Sequence, residues 1–273
     1  MRRIYHSLGK RGFASFIFLI VFIVFFYLPL ANLVMLAFGN RYEVPAIFPQ
    51  EFGVKWWEWV LNQRNLVSSI TTSFILAVVV TGVSLLICLP AAYALARYEF
   101  KGRRIFMFSF LLTNAFPKIG LYVAIAIIYY RLGLMGTFMG VVIIHVLNSM
   151  VFMTWLPMNA FRAVHKQQEE AARDAGAGPF RTFLSITLPL AKPGIIVASL
   201  FTFMSSLEEA QGALLVGFPQ VKTMPVELYG VIMQYPTTAG PVLSLILMFP
   251  TLLILLLGGN LMSDGMGSQL KVK

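Results

Sequence analysis

The residues best placed to do chemistry in this chain are two adjacent acids. Glu208 and Glu209 fall inside an apolar stretch read as a membrane span at 194–216. An ionised group there is costly and normally faces a protein interior or a water-filled cavity. At about 1.5 Å per residue, Glu208 lies about 20 Å from the start of that span, beyond its midpoint. Neighbours on a helix point about 100° apart, so the two acids cannot serve one partner equally. Two readings stay open: contact with a cation or a hydroxyl-bearing solute, or an internal ion pair or helix cap, with Lys118 as a partner. Gln211, Asn114 and Asn148 are amides in apolar runs, which either line a polar path or bond helix to helix. His145 reads as a structural histidine. No GxSxG, HExxH or facing aspartate pair is present. Cys88 is the only cysteine, which excludes an intrachain disulfide and a Cys-based zinc site. The single Gly-Lys, Gly9-Lys10, has Ile4 where a phosphate loop needs glycine and Arg11 where it needs Ser or Thr. The expectation is a chain with no catalytic, metal or cofactor site of its own.

The elements that must position these residues follow from composition. Of 273 residues, 58% are hydrophobic and 12% charged, and mean hydropathy is +0.79. Soluble domains carry about 25% charged residues, so this chain lacks the charge for a water-exposed surface. Its apolar runs are continuous rather than alternating, which argues for helices and against an outer-membrane barrel. Six spans fit, at about 14–38, 67–95, 105–130, 137–160, 194–216 and 241–262, within one membrane domain over 1–273. The first is too long for a signal peptide and reads as a retained span. Fifteen of the 21 Lys and Arg then fall on the side of the two termini, which the positive-inside rule places in the cytoplasm. The net charge of +10 is thus a topology signal, not a nucleic-acid footprint. Trp56, Trp57 and Trp59 in the first outer loop suit a headgroup-level anchor or a docking surface. Pro117 predicts a kink in the third span. Gly136 and Gly140 form a GxxxG that permits close helix contact, and Tyr235–Pro241 reads as an outer loop.

The cytoplasmic stretch 162–192 is the longest polar segment. Gln167–Ala175 reads as a short helix supported by Glu169 and Arg173 at i,i+4. Ala171, Ala172 and Ala175 give it a small, smooth face, and Gly176 is a helix stop. A second helical segment, Pro179–Thr187, starts with proline and ends at Leu188-Pro189. The run Glu170-Ala171-Ala172, then Gly176, then Ile186-Thr187-Leu188-Pro189 resembles the coupling-loop motif of ABC-importer permeases, with matching spacing over 20 residues.

The resemblance runs from about Ser68 to the end of the chain. It implies an all-α membrane protein with the type I importer permease fold: six transmembrane helices, both termini cytoplasmic. It further implies a second permease, a cytoplasmic ABC ATPase dimer that uses ATP and Mg, and an extracytoplasmic substrate-binding protein. Coupling to the ATPase would then fall to Glu170, Ala171, Ala172 and Gly176, with Ile186, Leu188 and Pro189 completing the motif. A bacterial-type cytoplasmic membrane is the implied location. The cargo signal is mixed. Phe116-Pro117, Arg131-Leu132-Gly133-Leu134 and Thr137 resemble maltose-type sugar permeases, as does the tail from Leu261 to Lys273, which in that group reaches into the ATPase dimer. Phe52-Gly53-Val54-Lys55-Trp56-Trp57 and Ser206-Leu207-Glu208-Glu209 resemble polyamine permeases. Ala175 stands where sugar permeases usually carry an acid. A sugar or sugar derivative is the leading expectation, with a polyamine or another small solute as the alternative. A stand-alone channel or secondary carrier would instead work without an ATPase.

Overall fold

The computed structural model describes residues 2–270, with side chains described outside 2–11, 13, 111–115, 254, 255 and 257–270. Two compact units emerge, Met1–Gln63 with Gly230–Ile246, and Arg64–Tyr229 with Leu247–Lys273.

In the first unit, α1 (Arg2–Ala37) carries the apolar stretch Ala14–Ala37, whose most apolar 18 residues include none that is buried. A helix that is apolar all round and unburied belongs in lipid. Beyond it, β1 (Gly39–Arg41) pairs antiparallel with β2 (Glu51–Phe52), and α2 (Lys55–Asn62) follows. The tryptophans are spent within the unit. Trp57 Nε1 donates to the Ala37 carbonyl at the end of α1 at 2.9 Å, and Trp56 Nε1 donates to the Asn40 carbonyl at 3.2 Å. The last carbonyls of a helix have no partner inside it, so this contact satisfies one of them. Trp59 packs on Tyr235 with ring centroids 4.5 Å apart.

The second unit is built on three long helices, α3 (Arg64–Arg97), α6 (Phe138–Ala163) and α9 (Leu188–Glu208). At one end α3 and α6 meet through Leu76, Val80, Val142 and Val146; at the other, Ala92, Leu95, Met158 and Phe161 pack with Ala191 and Ile195 of α9. Lipid supplies no hydrophobic drive between helices, so small residues and hydroxyls hold them together. Ser84 on α3 and Ser149 on α6 share a buried hydrogen bond of 3.0 Å. A Cβ on Gly194 of α9 would lie 2.5 Å from the Ala160 Cβ of α6, so α9 approaches α6 closely there. The expected GxxxG contact takes a different form. A Cβ on Gly140 would strike the Leu134 carbonyl of its own turn, and Gly136 has φ +70°. Both glycines shape the entry to α6.

Among the described residues, four helices are long and apolar enough to cross a membrane: Ala14–Ala37, Arg64–Arg97, Phe138–Ala163 and Pro179–Glu208, with a shorter apolar helix at Ala239–Leu253. The predicted third span is broken, not kinked, into α4 (Arg103–Ala115) and α5 (Lys118–Leu132). Proline clashes with the preceding residue in α geometry and has no N–H to donate. Phe116 is accordingly extended, at φ −94° and ψ 149°. The predicted fifth span also breaks: α9 stops at Glu208, and the chain re-forms a π-helical turn at Ala213–Gly217. The segment after it, to which the sequence assigned no element, contains α10 (Met224–Gln234), whose first N–H donates to Ser73 Oγ of α3 at 2.7 Å. The last helix, α11, runs Ala239–Leu270, so the loop before it is shorter than Tyr235–Pro241. In the tail, 271–273 lie outside the described residues.

Candidate functional site

The polar loop folds as α7 (Lys166–Asp174) and α8 (Pro179–Thr182). Two hydrogen bonds close α7: Gly176 N–H to the Arg173 carbonyl at 2.8 Å and Ala177 N–H to the Ala172 carbonyl at 3.0 Å. That is a Schellman closure, which places residue 176 in the left-handed region. Gly176 has φ +87°, with nothing within 4 Å of where a Cβ would stand. The glycine is therefore required by the backbone, not by crowding.

Glu169 does not pair with Arg173 as the spacing predicted. It is buried, and its Oε1 accepts from Arg97 at the end of α3, with Nε at 3.0 Å and Nη2 at 2.7 Å. The Thr187 hydroxyl donates to the same oxygen at 2.7 Å, and Arg97 Nη2 also donates to the Val164 carbonyl at 3.0 Å. A buried, charge-assisted fork outcompetes an exposed i,i+4 pair worth about 0.3–0.5 kcal/mol. Glu169 thus fastens α7 to the end of α3 and to the start of the α9 segment. Glu170, one residue on, is exposed, as are Ala171 and Gly176; Ala172 is half-buried. This arrangement offers a small-faced helix to an outside surface while anchoring its back.

The second helical segment does not end at Leu188-Pro189. A π-helical turn at Phe183–Thr187 carries it directly into α9. Leu188 N–H reaches back to the Phe183 carbonyl, and the widened turn accommodates the donor missing at Pro189. Leu188 and Ile186 are half-buried, Leu188 against the Ala92–Phe161 core, and Pro189 is exposed.

The membrane acids separate. Glu209 stands in the break after α9, at φ −73° and ψ 117°, and is 7% exposed. Its carboxylate accepts from Gly212 N–H at 2.8 Å and Ala213 N–H at 3.1 Å, capping the turn that follows. Its Oε2 lies 3.2 Å from Nε2 of His145, whose Nδ1 is 2.9 Å from Ser206 Oγ. A Cβ on Gly212 would sit 2.3 Å from Cγ2 of Ile144 and 3.2 Å from Oε2, so packing against α6 and the cap together call for glycine there. His145, read as structural, is buried and partnered here, and it takes the place expected of Lys118. Glu208 and Gln211 are exposed, and Asn148 is half-buried. The Asn114 side chain lies outside the described residues. Sequence reasoning gave Arg97 and Thr187 no site role and misassigned Glu169; the signal available was an Arg at the end of the second span and two adjacent acids in the loop after the fourth.

Residues 85–263 match the family of binding-protein-dependent transport system inner membrane components. The chain belongs to that family. It is an ABC importer permease of the type I class, a multi-pass membrane protein and a transport component. A putative ABC transporter permease of Streptomyces antibioticus is 34% identical, over 61% of this chain and 73% of that one. The diacetylchitobiose uptake system permease protein NgcG of Streptomyces coelicolor is 28% identical, over 72% of this chain and 67% of that one. The spermidine/putrescine transport system permease protein PotC of Escherichia coli is 23% identical, over 79% and 81%. In fold, the permease is similar to a chain of a bacterial ABC transporter involved in the import of the acidic polysaccharide alginate. The TM-score is 0.71 at 19% identity, covering 91% of this chain and 95% of that one.

Proposed function

We infer that this permease forms half of the translocation pathway for a sugar or sugar derivative in a bacterial cytoplasmic (inner) membrane. Its six crossings count the broken α4–α5 pair as one and α11 as the last, with both termini in the cytoplasm. A second permease completes the pathway, a binding protein delivers solute from outside, and a separate ATPase dimer hydrolyses ATP with Mg. This chain binds no cofactor. Closure of the ATPase moves the Glu170–Gly176 loop, and the rigidly attached helices turn the pathway from one side to the other.

The observation that carries the reading is α7 itself. Its outer surface, Glu170 and Ala171, is exposed, while Glu169 locks its back to Arg97 at 2.7 Å. Such a helix transmits displacement without absorbing it. Glu170→Lys or Gly176→Asp should abolish uptake while leaving the chain inserted in the membrane; normal uptake with either variant would refute the coupling role.

Sugar cargo is supported by the likeness to the diacetylchitobiose permease and by the engagement of both Glu209 oxygens. A polyamine would have to displace His145 and two backbone donors to use that carboxylate. The polyamine reading keeps the support of the PotC likeness and of the exposed Glu208.

A further inference from the structure

Away from α7 and the membrane acids, the second unit contains a cavity of about 930 Å³ at the junction of the α3–α4 connection with the end of α6. Its lining is divided between charge and apolar surface. Arg103 and Arg104 open α4, and Arg162 lies at the last turn of α6, so three arginines line it. Glu99 is the one acid in the lining. Met107, half-buried about one turn along α4, and Trp155, half-buried about two turns back along α6, are apolar.

The arginines are not satisfied by the protein. Among the described residues none of the three makes an ion pair, and Nε of Arg103 is buried with no hydrogen-bond partner. Buried donors in native proteins are nearly always paired, so the Arg103 guanidinium keeps donor capacity that no described group of the protein uses. Exposed apolar residues surround the opening: Ile105 is 75% and Phe108 57% exposed. The cavity lies where the apolar helices α3 and α6 end, which is the level of lipid headgroups.

We propose that this cavity binds one anionic phospholipid, its phosphate held by Arg103, Arg104 and Arg162 and an acyl chain laid against Phe108 and Trp155. A guanidinium fork matches phosphate oxygens in pairs. Basic pockets between membrane helices take up anionic headgroups for this reason. A zwitterionic lipid fits less well, because its ammonium would meet three positive charges. A soluble anion would leave the apolar part of the lining unused. The site lies six residues beyond Arg97, so a bound lipid would brace the same end of α3 that holds α7.

The test uses the full chain purified in detergent and titrated with dioleoyl-phosphatidylglycerol or dioleoyl-phosphatidylcholine, with bound lipid counted by native mass spectrometry. One phosphatidylglycerol should be retained at least tenfold more tightly than phosphatidylcholine. R103Q/R104Q/R162Q should lose that preference, and R103K/R104K/R162K should keep most of it, which separates lost charge from lost fold. Three results would overturn the proposal. Equal retention of the two lipids by the unaltered chain is one. Thermal protection by inorganic phosphate equal to that by phosphatidylglycerol, marking a soluble-anion site, is the second. The third is a Phe108→Cys thiol, in a Cys88→Ala background, that is reactive in the lipid-free chain but shielded in the lipid-free assembled transporter, which would mean that a partner subunit covers the cavity.

Discussion

Replacing Glu169 and Glu170 one at a time gives opposite outcomes on the structural account, although the residues are chemically identical neighbours. The Arg97 and Glu169 side chains are 7% and 8% exposed, and the carboxylate takes three donated hydrogen bonds at 2.7–3.0 Å. In Glu169→Ala the guanidinium keeps the Val164 carbonyl but loses its counter-charge. Breaking a buried pair in this way costs about 3–5 kcal/mol. All three elements it joins, the end of α3, α7 and the π-helical turn, feel the loss. Because each 1.4 kcal/mol is tenfold in an equilibrium constant, α7 amides should exchange with deuterium at least about 100-fold faster. Glu169→Gln retains the Thr187 contact and should fall between. Glu170→Gln removes an exposed carboxylate that has no partner among the described residues and should leave α7 exchange within about 0.5 kcal/mol of the unaltered chain. Hydrogen exchange read peptide by peptide, with the permease in detergent or nanodiscs, distinguishes these cases. Unchanged α7 exchange in Glu169→Ala would refute the claim that this residue anchors α7. Faster exchange in Glu170→Gln would refute the division of labour between the two.

The membrane acids should separate in the same manner. Glu209→Ala removes a cap and the partner of His145, so the melting temperature should fall by several degrees while the half-maximal solute concentration for ATPase stimulation stays put. Glu208→Gln should leave melting unchanged and shift that concentration; a shift in neither parameter for either variant would make both acids dispensable. Gly194→Ala brings a methyl group against Ala160 and should lower the melting temperature, because overpacking costs about 1–3 kcal/mol. Adding Ala160→Gly should recover most of the loss, and failure of the pair to rescue would place the close helix approach elsewhere.

Much of this was legible in the sequence, and the losses have identifiable causes. Long apolar runs reveal α1, α3, α6 and the α9 segment because hydropathy alone decides what lipid accepts. The same signal cannot register an interruption: 105–130 and 194–216 are apolar enough on average to read as continuous spans, yet Pro117 breaks the first and the Glu209 cap breaks the second. A cap is a three-dimensional contact between a carboxylate and N–H groups three and four residues on, and the sequence records only that the acid is there. The loop motif was visible through its spacing, down to the glycine stop. Glu169 and Glu170 carry the same letter, and only burial against Arg97, far away in the chain, assigns one to structure and the other to the exposed face. His145, read as structural, is buried beside Ser206 and Glu209, neighbours the sequence could not name, since ion pairs across helices leave no spacing pattern.

The central claim is that this permease works only as part of an ATP-driven importer, and reconstitution tests it most directly. The permease with its co-purifying partners and binding protein is placed in liposomes, and ATPase activity is measured with sugars, sugar acids and polyamines in turn. The account predicts ATPase activity stimulated by a sugar or sugar derivative, with Glu170→Lys abolishing the stimulation. If no ATPase co-purifies, and solute still crosses liposomes that contain this chain alone, the importer reading is contradicted and a channel or carrier takes its place.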